Sequence, residues 1–147
     1  MNHKNPEIIY KSAEVKMTVP FYDLDPMHVV WHGNYLKYFD NARSALFDSL
    51  GIDLYGFYNK TKYLFPLIKS TIKHVFPLRH RDEFIVKATV TAAKYKIVTE
   101  FEIRLVKDGR ISAKGTSEQV AVINQEETGE LEMSLIIPEE ISKALGF

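Results

Sequence analysis

The sequence predicts an α+β fold in which a curved antiparallel sheet wraps around one long central helix. Three observations predict it. A period-2 run opens the chain, with Val15, Met17, Val19 and Phe21 alternating against Glu14, Lys16, Thr18 and Pro20. A helical run follows from Asn34. After Tyr63 the chain reads as strand, turn and strand again, with no second long helix before its end.

Each element has a local reason. The first strand ends near Pro20, which cannot donate to a sheet. In the helix, Tyr35, Tyr38, Phe39, Ala42, Ala45, Leu46, Ser49 and Leu50 recur on one stripe, with Asp40, Asn41, Arg43 and Asp48 on other faces. Gly51 stops it after about four to five turns, because glycine accepts the left-handed angle of a helix end. Ile68, Ser70, Ile72, His74 and Phe76 then alternate with Leu67, Lys69, Thr71, Lys73 and Val75, and the polar stretch 77–83 turns the chain. Phe84, Val86, Ala88, Val90 and Ala92 form the next face, and Ile97, Thr99, Phe101, Ile103 and Leu105 another. Asp108-Gly109 marks a tight hairpin whose two central positions both accept positive φ. The last long strand is expected from Ile111 to Ile123, followed by a turn from Gln125 to Gly129 and an edge strand from Leu131 to Ile137. Pro138-Glu139-Glu140 opens a short terminal helix. Long strands of this kind often continue through a dimer, which protects an edge and places a site at the subunit boundary.

A chain of 147 residues holds one domain, 1–147, with room for a real core. Lys plus Arg and Asp plus Glu number 19 each, so no net field draws the chain to nucleic acid or to an anionic membrane. The absence of cysteine removes disulfides, thiolate nucleophiles and cysteine-bound zinc. Met1-Asn2-His3-Lys4-Asn5-Pro6-Glu7 is polar and no long apolar span follows, so the expectation is a soluble, cytoplasmic protein without membrane insertion. The eight tyrosines and nine phenylalanines cluster between positions 21 and 76 and suit either a packed core or a groove for something apolar.

Chemistry concentrates between Phe21 and Phe39, where Asp23, Asp25, His28 and His32 stand directly ahead of the helix. A carboxylate at a helix start lies beside free backbone N–H groups and the positive end of the helix dipole. That pairing suits acyl transfer, in which a carbonyl oxygen gains charge while a nearby group delivers a nucleophile. Asp25 reads as a general base or nucleophile, or as a turn aspartate helped by Pro26. His32 could bond a substrate or a catalytic water, or simply a backbone carbonyl. Asn34 fits the N-cap of the helix. Tyr22, Trp31 and Tyr35 suit an acyl or aryl pocket and suit a core equally well. Asp23-Leu24-Asp25 has the look of a magnesium phosphohydrolase pair, but that chemistry needs a parallel α/β sheet. Asp25, His28 and His32 could ligate a metal only if a loop brought them together, and no metal is assigned. No Gly-x-Gly-x-x-Gly, P-loop or Gly-x-Ser-x-Gly occurs.

The run from Tyr22 to Arg43, with its acidic segment, apolar pair, aromatic, histidine, small residue and Asn-Tyr helix start, resembles the signature of hotdog-fold thioesterases of the 4-hydroxybenzoyl-CoA thioesterase family. The bacterial acyl-CoA thioesterases associated with the Tol-Pal system are the nearest branch. The likeness extends over Ile68 to Pro77, Asp82 to Val90 and Thr99 to Gly115, and so over nearly the whole chain. It implies that Asp25 is the catalytic carboxylate, nucleophile or general base, and that His32 supports the aspartate or the thioester. It also implies that backbone N–H groups around Val30 to Asn34 polarise the thioester carbonyl, with Tyr22, Val30, Trp31, Asn34 and Tyr35 at the substrate. Two positions depart from the family pattern. His28 stands where glycine is usual, which calls for a backbone angle histidine tolerates poorly, and Leu24 replaces a common threonine.

The implied activity is hydrolysis of an acyl-CoA or acyl-carrier-protein thioester to a free acid and a thiol, by a homodimer or homotetramer. Coenzyme A enters as part of the substrate and no other cofactor is implied. Lys94, Lys96, Arg79, Arg81 and Arg110 are available for its phosphates. Two alternatives remain, a non-catalytic acyl-thioester-binding protein on the same fold and a hotdog hydratase or dehydratase.

Overall fold

The structure is a computed structural model that describes residues 7–147; the polar stretch at residues 1–6 lies outside the described residues. Five antiparallel strands form the main sheet: β1 (Ser12–Thr18), β3 (Leu67–His74), β4 (Glu83–Ala92), β5 (Ile97–Leu105) and β6 (Ile111–Gln119), in the order β1-β4-β5-β6-β3. Helix α1 (Asn34–Ser49) packs against β1 and β4 on the inner face. A short helix α2 (Leu54–Thr61) and a three-stranded sheet of β2 (Tyr63–Leu64), β7 (Val122–Gln125) and β8 (Glu130–Met133) follow it in space, and α3 (Glu139–Ala144) comes last. This is the expected α+β arrangement, a curved sheet around one long helix.

The sequence pattern decides which side chains the layers share. Phe84, Val86, Ala88 and Val90 of β4 face α1 fully buried, as do Ile97, Thr99, Ile103 and Leu105 of β5, while α1 contributes Tyr35, Tyr38, Phe39, Ala42, Leu46 and Phe47. Each large apolar side chain so buried is worth about 1.5–3 kcal/mol. Phe39 stacks on Phe101 with ring centroids 4.5 Å apart and planes within 9°. That stack leaves no room at Gly115 of β6, where a Cβ would stand 2.4 Å from both the Phe39 ring and the Thr71 carbonyl oxygen. Helix α1 ends as expected at Gly51, whose φ of 71° lets Ile52 N–H reach the Phe47 carbonyl at 2.9 Å.

Several expectations need correction. Asn34 is the first helical residue rather than the cap; Gly33 holds the cap position, and the Asn34 amide donates to the Asp23 carbonyl at 2.9 Å instead. Helix α2 is not expected from the residue pattern, because it is short, carries Gly56 inside it and buries only Phe57. The strand expected from Ile111 to Ile123 divides at Val120-Ala121, where the chain leaves β3 and β5 to pair with β2 and β8. At Asp108-Gly109 only the glycine takes positive φ, 73°, so the hairpin is a longer loop closed by Gly109 N–H to the Leu105 carbonyl. The β3 strand forms as expected but stays exposed along nearly its whole length, and among the described residues it pairs with β6 on one side and with no strand on the other.

Candidate active site

The segment between β1 and α1 is a small hairpin. After a 3-10 turn at Phe21–Asp23, Leu24 bridges Val30 and the Asp25 N–H donates to the Val29 carbonyl at 2.9 Å. Pro26, Met27 and His28 form its three-residue loop, closed by His28 N–H to the Asp25 carbonyl at 2.9 Å. Loops of this length place their last residue in the left-handed region, and His28 sits there with φ 67°. The steric cost expected at this histidine is therefore present. Replacing His28 with glycine is expected to raise stability by about 0.5–1 kcal/mol, the left-handed strain relieved less the extra freedom of an unfolded glycine, as measured by urea unfolding.

Asp25 is half-buried at the head of this loop. One carboxylate oxygen, Oδ1, accepts the Met27 N–H at 2.8 Å, which is the turn role foreseen for it. The other, Oδ2, has no protein partner among the described residues, so the turn fixes the carboxylate without consuming it. The far side of the hairpin is anchored in turn: Val29 bridges Arg79, and Val30 N–H donates to the Leu78 carbonyl at 2.8 Å.

The chain then enters α1. The N–H groups of Trp31 and Asn34 are taken by the carbonyls of Asp23 and Trp31, each at 2.9 Å. Those of His32 and Gly33 have no protein partner among the described residues. These two donors, at the positive end of a helix of 16 residues, can receive an oxygen that gains negative charge. The Trp31 ring lies across Gly33, where any Cβ would stand 2.2 Å from it, so glycine is what lets the indole cover the helix start. Trp31 remains 50% exposed, and its ring also neighbours that of His32, with centroids 5.2 Å apart.

The remaining expected site residues divide. Tyr22 is exposed beside the hairpin. Val30 and Tyr35 lie in the core; the Tyr35 hydroxyl accepts the Leu78 N–H at 3.2 Å and its ring meets His74 edge to face. Asn34 is spent on the Asp23 carbonyl. No group of three or more His, Asp or Glu side chains that could hold a metal ion occurs among the described residues. Of the five cations considered for phosphates, Lys96 pairs with Glu118, Arg110 lies over the Phe76 ring, Lys94 lies over the Tyr95 ring, and Arg79 stands directly against the hairpin. Arg81 follows in the same loop with φ 65°. A cleft of about 540 Å³ lies on the outer face of the sheet, among Lys73, Lys87 and Lys114, remote from this loop.

The residue that sequence reasoning undervalued is Asp23. It is only 3% exposed, its carboxylate accepts the Tyr38 hydroxyl at 2.6 Å and the Lys37 ammonium at 2.8 Å, and its carbonyl takes both Trp31 and Asn34. One residue thereby fastens the hairpin to the first turns of α1. Burial, then the hydrogen bond and charge of Asp23, push the Tyr38 hydroxyl well above its ordinary range. The fold thus favours the neutral phenol, so this stabilisation is complete below about pH 10 and is lost as pH climbs toward the raised value. Tyr38→Phe should cost about 1 kcal/mol at neutral pH, and its deficit should shrink above about pH 10, as urea unfolding of both proteins across that range will report.

The chain is similar to known proteins in sequence and in fold. Residues 19–145 match the sequence profile of the thioesterase-like superfamily. YneP of Bacillus subtilis (strain 168), named as a candidate acyl-CoA thioesterase, is 29% identical over 111 residues, 75% of this chain and 79% of that one. The solved 1,4-dihydroxy-2-naphthoyl-CoA thioesterase Slr0204 from Synechocystis is 18% identical, with TM-score 0.80 over 91% of this chain and 95% of its own. An aspartate-to-asparagine mutant of 4-hydroxybenzoyl-CoA thioesterase, complexed with 4-hydroxybenzoyl-CoA, is 15% identical, with TM-score 0.82 over 92% and 99%. With a profile match across most of its length and the hotdog architecture of these structures, the chain belongs to the thioesterase-like superfamily.

Proposed function

We propose that this chain hydrolyses acyl-CoA thioesters to a free acid and coenzyme A, with Asp25 as the reacting carboxylate. One observation carries the reading: in a thioesterase-like chain, the hairpin that presents an unpaired Asp25 oxygen runs straight into a helix start with two unpaired N–H groups. The names of the relatives above, all thioesterases of CoA substrates, support the substrate class.

In this reading the N–H groups of His32 and Gly33 hold the thioester carbonyl oxygen as it gains charge. Asp25 then acts in one of two ways. As nucleophile it attacks the carbonyl carbon, expels the coenzyme A thiolate and leaves an anhydride that water opens. As general base it takes a proton from the water that attacks directly. His32 supports the aspartate or the thioester, Tyr22 and Trp31 flank the entering substrate, and Arg79 meets a phosphate of coenzyme A. Coenzyme A belongs to the substrate, and the chain needs no further cofactor.

The unpaired edge of β3, with Leu67 and Ile68 exposed, supports a homodimer formed across it, or a pair of such dimers, each subunit one domain. No helix among the described residues is long and apolar enough to cross a membrane, and we place the protein in the cytoplasm with its acyl-CoA substrates.

The test is thiol release from short, medium, long and aryl acyl-CoA, followed with a chromogenic disulfide reagent. A chain without cysteine contributes no background of its own. Release from at least one substrate is the expected result; tight binding with no release from any would favour the non-catalytic alternative.

A further inference from the structure

Apart from Asp23, Thr89 and Ser112, the buried polar side chains among the described residues gather at one place. Thr99, Ser117 and Gln119 lie on the inner face of β5 and β6, where Thr99 pairs with Ser117 and Ile97 with Gln119 across the strands. Among the described residues, the buried side-chain polar atoms left without a hydrogen-bond partner are Thr99 Oγ1 and Gln119 Oε1, both in this cluster. An unpaired buried polar group costs about 1–3 kcal/mol, so a fold that keeps two in one cluster is incomplete there until a partner bonds to them.

Arg43 reaches the same place from α1. Its side chain is only 13% exposed, one nitrogen donates to Ser117 Oγ at 3.2 Å and another to Asp40, and a guanidinium has donors to spare beyond these two. Two cavities meet at Arg43 and Asp40. A narrow one of about 100 Å³ runs along α1 past Leu36 and Phe39, with Leu67 and Phe101 opposite. A wider one of about 290 Å³ continues to Gln119, Phe47 and Ile52. An apolar passage thus starts one turn inside the helix and ends on polar groups.

Its length follows from the helix. Arginine side chains on a helix lean back toward the N-terminus, and Arg43 bonds Asp40, so its guanidinium lies near the level of residue 40. From Gly33, where the thioester is placed, seven residues at the helical rise span about 10 Å. A medium-length acyl chain covers that distance.

Charge selects the end group. Asp40, Asp48 and Asp53 line the wider cavity against the single cation Arg43, which disfavours a carboxylate. A hydroxyl both accepts from Arg43 and donates to Gln119. We propose that the passage along α1 holds the acyl chain and that Arg43, Ser117 and Gln119 recognise a hydroxyl at its far end, making hydroxylated medium-chain acyl thioesters the preferred substrates. This rests on the thioesterase reading, and its test is kept separate from turnover.

Binding of two non-hydrolysable thioethers to the wild-type protein, S-octyl-CoA and S-(ω-hydroxyoctyl)-CoA, is measured by calorimetry. The hydroxylated ligand should bind about tenfold more tightly, the worth of one to two added hydrogen bonds. In Gln119→Leu, which removes the orphaned acceptor together with the amide that donates to the Phe65 carbonyl at 3.0 Å, the preference should fall to about twofold or less, with thermal unfolding used to verify that the variant is folded. Equal binding of the two ligands by the wild type overturns the inference, as does a preference that survives Gln119→Leu. If equal binding accompanies thiol release from octanoyl-CoA, the thioesterase reading stands and only this inference falls; if neither ligand binds, this inference falls, and the thioesterase reading falls with it only if no acyl-CoA of the panel releases thiol.

Discussion

Asp23→Ala should destabilise the protein by about 3 kcal/mol, a large share of the total stability of a domain this size. The estimate follows from what the carboxylate touches. Its removal leaves the buried Tyr38 hydroxyl without its acceptor and opens a void between the hairpin and α1, while Lys37, half-exposed, turns to water at little cost. The bonds from Trp31 and Asn34 go to the Asp23 carbonyl and survive the substitution, so the hairpin loosens without detaching. Asp23→Asn keeps the shape and one acceptor and should cost about half as much. A double-mutant cycle with Tyr38→Phe should return a coupling of about 1–2 kcal/mol by urea unfolding. Additivity of the two substitutions would contradict the assignment of Asp23 as the joint between loop and helix.

Much of this fold is legible in the sequence because each buried face is written at its own period. The alternation from Phe84 to Val90 and from Ile97 to Leu105 names side chains that are all buried against α1, and the stripe from Tyr35 to Leu46 names the helix face they meet. Features that depend on partners distant in sequence are not legible in this way. Nothing in Val120-Ala121 marks the point where a strand changes sheets; the change is made by Pro66, whose carbonyl takes the Val120 N–H, and by Ser134, which donates to Ala121. The edge strand β3 carries an alternating pattern although a single chain leaves it uncovered, and that mismatch between pattern and exposure is what a partner subunit would remove.

The site is legible to the same degree. The order of residues from Asp25 to Asn34 points to a carboxylate beside a helix start, and the left-handed angle at His28 follows from a three-residue loop lacking the usual glycine. Which N–H groups stay free does not follow, since it depends on carbonyls at Leu78 and Asp23 that the sequence alone does not align with the loop. Asp23 was hidden for a related reason. Its partners Lys37 and Tyr38 lie 14 and 15 residues away, with no period to connect them.

Asp25→Asn should lower kcat for acyl-CoA hydrolysis by about 10²–10⁴-fold, the range expected when a positioned acid–base or nucleophilic group is lost. The fold should be unaffected, because the asparagine side-chain oxygen can still accept the Met27 N–H that holds this turn, and asparagine suits such turns as well as aspartate does. Substrate binding should persist, since the groups assigned to hold the thioester are the backbone N–H groups of His32 and Gly33. The most direct test is therefore a paired measurement on one preparation of Asp25→Asn: calorimetric affinity for an acyl-CoA that the wild type hydrolyses, and thiol release from the same compound. Wild-type affinity with thiol release reduced by at least about a hundredfold is the expected result. Thiol release at the wild-type rate from the folded variant would contradict the assignment of the chemistry to Asp25.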